Sequence, residues 1–478
     1  MNEKTIHILS IVCTVFPGAV LLVWFLSANP AADFIEHIPG MDNRPVSMSG
    51  GSEDVAIGAI FAAFDGVPSG IPGRWPRFRG VDYTNISREN VRLADTFSTA
   101  GPHIVWSVDL GEGHAGPVVA NGMVYLLDYD EETRADVLRC FSFDDGREIW
   151  RRGYNVYVKR NHGMSRTIPA VTDKYVVTIG PKCHVMCVDA DSGAFRWGID
   201  LVKEYDAEIP LWYTGQCPLI DDSLAIIAVG GKSLLIAVDC ETGEVVWETP
   251  NPNNWKMSHS SILPYSIHGR KMYVYCATGG IAGISAESEN PGEILFETDL
   301  WNQNVVAPSP VYLGDGRLFV TSGYGAGSIM LNIKSENDSY TVESIQQIKP
   351  GEGISSEQQT PLFHEGHLFA IMPKDAGALR NRFVCYHPDD IGKLVWDSGA
   401  THRFGLGPYI VADGKFFILS DEGVLTIMRA STREPILLAE SKILDGHDAW
   451  GPMAIVNGRL LARDSRRMVC VDLRALEL

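Results

Sequence analysis

The sequence predicts an all-β fold: an eight-bladed β-propeller of four-stranded antiparallel blades, preceded by one N-terminal transmembrane helix. Three observations carry the prediction. First, an acidic, glycine-containing turn followed by a bulky aromatic recurs along the chain. It reads Asp144-Asp145-Gly146-Arg147-Glu148-Ile149-Trp150, Asp191-Ser192-Gly193-Ala194-Phe195-Arg196-Trp197 and Glu241-Thr242-Gly243-Glu244-Val245-Val246-Trp247, with looser copies ending at Phe296 and Trp396. The first three aromatics lie 47 and 50 residues apart, and short strands repeating every ~40–50 residues are the mark of a propeller. Second, a proline precedes each inner strand: Pro117, Pro169, Pro218, Pro310, Pro361, Pro408 and Pro452, with Ser260 to Pro264 supplying the remaining copy. Third, hairpins such as "PVVANGMVYLL" and "PMAIVNGRLLA" follow these landmarks, with Asn-Gly or Asp-Gly where a tight turn needs positive φ.

The elements follow in chain order. Residues 1–5 are a short cytoplasmic end. Residues 6–27, within which Ile6 to Leu26 are almost wholly apolar, are long enough to cross the ~30 Å hydrocarbon core. Lys4 before the run and Asp33 and Glu36 after it place the rest of the chain outside by the positive-inside rule. A cleaved signal peptide is the competing reading, and the expectation is a retained anchor because no small-x-small cleavage site follows Leu26. Residues 28–74 are rich in Pro, Gly, Ser and Asp and read as a linker. Within it, "DVAIGAIFAAFDG" (54–66) is an apolar island, expected as a short helix resting on the membrane or on the propeller.

The propeller then runs over 75–478. Its last copy, "PMAIVNGRLLARDSRRMVCVDL", supplies three strands only, and a free strand, "HIVWSVDL" with Trp106, precedes the first copy. The early strand is predicted to complete the last blade and close the ring, leaving no open edge. Trp106, Trp150, Trp197, Trp247, Phe296 and Trp396 are predicted to dock blade on blade. The repeats around "YTVESIQQI" and "REPILLAES", in blades 5 and 7, lack this aromatic.

Composition narrows the partners. The net charge of −19 repels nucleic acid and anionic headgroups. Of nine cysteines, Cys140, Cys187, Cys385 and Cys470 share one repeat position that Ala237 fills elsewhere, so the position is a small buried packing slot. No zinc spacing is present. "GGKS" (230–233) lacks the earlier glycine of a phosphate loop, and "GYGAG" (323–327) leads into a strand rather than a helix. His364 and His367 fall at a hairpin turn.

This layout resembles the quinoprotein-type propeller, the repeat family named after pyrroloquinoline quinone (PQQ). The acidic turn plus Trp is similar to that family's tryptophan-docking motif. Trp75 to Ser87, "WPRFRGVDYTNIS", resembles the W-P-x-F-R-G opening of bacterial PQQ-like repeat proteins. The resemblance covers Trp75 to Leu473 and implies the fold. For function it implies two alternatives, since the family holds dehydrogenases and also non-catalytic members such as the BamB-type outer-membrane assembly factors. In the dehydrogenases the quinone sits on the axis between a disulfide of adjacent cysteines and a Trp, with calcium on Glu and Asn and an Asp as base. This chain has no adjacent cysteines and no C-x-x-C-H haem site, and the calcium ligands and base have no matching motifs.

No catalytic, cofactor or metal residue is therefore assigned. The expected function is a membrane-tethered, extracytoplasmic, non-catalytic platform at the cell inner membrane, single-pass, with the propeller on the periplasmic or extracellular side and an envelope or membrane protein as partner. The alternative is a PQQ-dependent dehydrogenase, holding PQQ with calcium, that oxidises an alcohol or sugar and passes electrons to membrane quinone. By analogy with other propellers, residues just before each inner strand are expected to line the mouth of the axial funnel: His114, Arg166, Gln216, His259, Gln358, Arg403 and Trp450. Two readings stand: such positions solvate the funnel and cap strand ends, or they form a pocket for a small anion or a partner's loop.

Overall fold

In the computed structural model, residues 54–161 and 163–475 are described, together with 2, 4–5, 15–18 and 23. The chain divides into two units, Met1–Gly51 and Ser52–Leu478. In the first, residues 4–5, 15–18 and 23 are helical. The predicted membrane span, 6–27, lies largely outside the described residues, and among those described no helix is long and apolar enough to cross a membrane.

The second unit is a ring of eight antiparallel sheets. The inner strands begin at Val118, Ala170, Leu219, Leu263, Val311, Leu362, Tyr409 and Ala454, one or two residues after the proline landmarks in seven blades. Closure is as predicted. His103–Asp109 pairs antiparallel with Arg467–Asp472, from His103 opposite Asp472 to Asp109 opposite Arg467, and so provides the outermost strand of blade 8.

Five tryptophans reach the outer turn of the next blade. The indole of Trp150, on the outer strand of blade 1 (Glu148–Asn155), donates to the Asp191 carbonyl in the turn of blade 2 at 2.9 Å. It covers Gly193, where a Cβ would stand 2.6 Å from the ring. Trp106 donates to Phe143 O (3.2 Å), Trp197 to Cys240 O (3.0 Å) and Trp396 to Ser431 O (3.1 Å). Trp247 covers Gly292 of blade 4. Under Trp106, Trp150, Trp197 and Trp247, the turn glycines Gly146, Gly193, Gly243 and Gly292 are required twice over, for their positive φ and for the space the indole takes.

The cysteine slot has a geometric cause. Across each outer strand pair, Cys140 faces Trp150, Cys187 faces Trp197, Cys385 faces Trp396 and Cys470 faces Trp106. Ala237 faces Trp247 and Gly283 faces Phe296. A small residue leaves room for the ring, and a register irregularity adjoins every one of these pairs.

One expectation is corrected. The island 54–66 is not helical. Ile60–Ala63 is a strand that adds a fifth member to blade 1, pairing Ile60 with Gly153 and Ala63 with Trp150. Arg152 lies over Phe61 (4.2 Å) and Arg151 over Phe64 (5.0 Å). Lys203–Asp54 (2.9 Å) and Arg147–Asp65 (3.1 Å) pin the two ends. Blade 1 offers a bare edge of N–H and C=O groups, and that pairing outweighs the helix propensity of an alanine-containing run.

Candidate functional site

The site begins with the segment that seals one end of the ring. Trp75 exchanges backbone hydrogen bonds with Val119 of blade 1, and the Pro76 carbonyl accepts from Val171 of blade 2. The Arg77 guanidinium reaches Ile220 O of blade 3 at 3.5 Å. Arg79 donates to Thr360 O (2.8 Å) and Pro361 O (3.1 Å) at blade 6, and to its own segment at Tyr83 O (2.7 Å) and Thr84 O (3.0 Å). Ser87 bonds Val411 of blade 7, and Glu89 accepts from Asn457 of blade 8. A segment this short that touches six blades must cross the axis. The W-P-x-F-R-G motif is therefore a plug: Trp75 anchors it, Arg79 is buried to satisfy four carbonyls, and Phe78 forms a floor.

Above Phe78 lies an axial cavity of about 120 Å³, walled by the loops that lead into the inner strands. Five of the seven residues expected there line it: His114, Arg166, His259, Gln358 and Trp450. The other two do not. Gln216 is fully buried, and its amide clasps both backbone groups of Ala228. It fastens the loop to blade 3. Arg403 turns outward, where it donates to Arg380 O and Ala378 O.

The lining also includes residues that counting back from the strands does not reach. Trp212 stands four positions ahead of Gln216, at positive φ (64°), followed by Tyr213 at 71°. Tyr324 sits in the "GYGAG" turn of blade 5, and Glu357 and Gln359 flank Gln358. An aromatic set between glycines was the available signal for Tyr324.

The walls carry two aromatic stacks. His114 lies flat on Trp450, with centroids 3.6 Å apart and planes at 15°. Trp212 stacks on Tyr324 at 5.4 Å and on His259 at 6.3 Å. Glycines make this packing possible: a Cβ at Gly163 would meet the His114 ring, and one at Gly215 would stand 2.8 Å from His259 Nδ1.

The cation of the site is Arg166. Its guanidinium donates to Asn161 O (2.7 Å) and Gly163 O (3.4 Å). Burial pulls its pKa down to about 10, which leaves it protonated at neutral pH. His259 is pushed down to about 4, first by burial and then by the Arg166 charge, so its ring is neutral. The adjoining Ser165 donates to Asp136, a buried carboxyl whose other hydrogen bond comes from Tyr154. Burial raises Asp136 to about 7. Cys217, in the wall, is raised to about 11 by burial and is no thiolate nucleophile. Glu357 pairs with Lys374 at 3.9 Å.

A sequence profile described as "Outer membrane protein assembly factor BamB", PQQ_2, matches residues 134–375, half of the chain. The chain belongs to this PQQ-like repeat family. No curated protein matches it in sequence. Among solved structures it is similar to BamB from Moraxella catarrhalis, with 13% identity, 79% of this chain and 99% of that one covered, and a TM-score of 0.52. It is also similar to the quinohemoprotein alcohol dehydrogenase from Comamonas testosteroni, with 12% identity, 85% and 81% covered, and a TM-score of 0.47. Likeness at these identities speaks to the fold alone.

PQQ-like repeats raise the question whether the cavity suits the quinone, a planar tricarboxylate. The residues present do not fit it. His114 and Trp450 already fill each other's faces at 3.6 Å, leaving no slot between them. Among the described lining residues Arg166 is the one Arg or Lys, beside two histidines of which His259 is held neutral, too few cations for three carboxylates. The volume is below the ~300 Å³ at which small-molecule sites begin. Among the described residues no cluster of three His, Cys, Asp or Glu could hold a metal ion.

Proposed function

We propose that this protein is a non-catalytic docking platform of the cell envelope, tethered by its N-terminal segment to the inner membrane, with the propeller on the outer side. The funnel mouth receives a loop of an envelope protein partner. The observation that carries this reading is the funnel itself. It is plugged at one end by Phe78, packed with paired aromatic rings, and holds one buried guanidinium. Such a site offers apolar contact area around one charge-assisted hydrogen-bonding group, the composition of an interface hot spot. Membership of a family described by an outer membrane assembly factor supports a protein partner.

A photo-cross-linking side chain placed at Tyr324, which is 55% exposed at the mouth, tests the reading. In intact cells it should capture one discrete envelope protein, while the same group at Ile345, on the outer strand of blade 5, should not. No product at Tyr324, or the same products at both positions, would overturn it. Calorimetric titration of the full chain with PQQ and calcium tests the dehydrogenase reading directly. One-site binding at micromolar or tighter affinity would replace the platform with an oxidoreductase.

A further inference from the structure

A second cavity lies away from the axis, in blade 4. It is an open cleft of about 550 Å³, bounded by the loop 253–255, the hairpin turn at Thr278-Gly279 and the outer strand end from Glu297 to Asn302. We propose that this cleft is a saccharide site, taking a neutral, polyhydroxylated ligand. The inference does not depend on what the funnel binds.

The walls are built and rigid. The Asn251 side chain donates to Gly231 O (2.8 Å) and Trp255 O (2.9 Å) and accepts from Trp255 N (3.0 Å). That clamp fixes the loop in one shape. Lys256 and Thr278 exchange backbone hydrogen bonds at 3.0 Å each, tying the loop to the hairpin turn. The indole of Trp255 is wedged over Gly279 and Gly280, where any Cβ would strike it. A polar cleft held this way loses little entropy on binding.

The chemistry of the lining selects the ligand class. Asn253, Asn254 and Asn302 each present an amide donor and an amide acceptor, and Glu297 and Asp299 add acceptors. Asn253 donates to Glu297 at 3.1 Å, so donor and acceptor stand side by side, as adjacent hydroxyls of a sugar require. Among the described residues no Lys, Arg or His lines the cleft, and two carboxylates in a chain of net charge −19 oppose an anion. Trp255 and Gly279 complete the lining. The volume falls within the ~300–1,000 Å³ of sites for small organic ligands.

Saturation-transfer NMR on the full-length protein, with maltose, cellobiose and N,N′-diacetylchitobiose as probes, tests this. At least one should bind saturably, with Kd on the order of 1 mM or tighter. The double variant Asp299→Ala/Asn302→Ala, at two exposed positions, should weaken that binding about tenfold, the loss of one or two hydrogen bonds. Its unfolding midpoint should match the parent. Three outcomes overturn the proposal: no saturable binding by any of the three sugars, binding untouched in the double variant, or tighter binding of a diarginine peptide than of any sugar.

Discussion

Five of the eight junctions between blades are made by a tryptophan, and three are not; the exceptions show what the tryptophan is for. In the five, an indole from one blade covers or hydrogen-bonds the outer turn of the next. At the junction of blades 4 and 5 that turn is displaced, because blade 5 extends its outer hairpin to strands Gly327–Glu336 and Ser339–Ile348. Phe296 packs instead in one apolar cluster with Ile333 and Val342 of blade 5. At the junction of blades 5 and 6, Gln346 docks by polar means: its amide accepts from Ile391 N (3.0 Å) and donates to Asp390 (2.9 Å). At the junction of blades 7 and 8 there is no outer turn to dock on, since the outer strand of blade 8 arrives from the start of the propeller. Ala439 occupies the tryptophan position there, opposite Ile427.

The residue facing each docking position varies in step. Opposite Trp or Phe it is Cys, Ala or Gly. Opposite Gln346 and Ala439 it is Met330 and Ile427. Volume is exchanged across the strand pair so that the interior stays close-packed. The cysteines are thus spacers. Burial raises the thiols of Cys385 and Cys470 to about 12.

The largest effect that would break this comparison is loss of a docking ring. Trp150→Ala removes a side chain that is 2% exposed together with its hydrogen bond, and should cost about 3–5 kcal/mol of stability. Gln346→Ala, at the polar junction, should cost about 1 kcal/mol. Urea denaturation midpoints of the two variants measure the difference. Equal losses would mean that the aromatic junctions hold the ring no more strongly than the polar one.

Next in size is the spacer. Cys385→Met puts a long side chain opposite Trp396 and should cost about 1–3 kcal/mol by overpacking. Trp396→Ala in the same chain should recover part of that loss, giving a coupling of about 1 kcal/mol between two residues in register. Additive losses in a double-mutant cycle would separate the cysteine slot from the ring it faces.

The same contrast explains what the sequence disclosed. Blade number and closure were legible because each is written as a local repeat, a turn plus an aromatic at fixed spacing. Five funnel residues were legible because every loop enters its inner strand the same way. Gln216 was not, because the position fixes where a residue stands and not which way its amide turns, and Ala228 offers it both backbone partners. Trp212, Tyr324 and Phe78 reach the axis from a longer loop, a hairpin turn and the plug, none of which repeats. Strand 60–63 was hidden for a related reason: what makes it a strand is the free edge of blade 1, about 90 residues away in sequence.

The smallest effect isolates docking from backbone strain. Gly193 and Gly366 both have positive φ, 65° and 72°. A Cβ at Gly193 would meet the Trp150 ring at 2.6 Å, whereas nothing lies within 4 Å of one at Gly366. Alanine at Gly366 should therefore show the conformational cost alone, about 1 kcal/mol. At Gly193 it must also push the indole off the turn, and the loss should be about 1 kcal/mol greater. In Trp150→Ala the clash has no partner, so Gly193→Ala should fall back to the Gly366 value. If it does not, the glycine serves the turn and not the tryptophan, and the covariation along the ring has another origin.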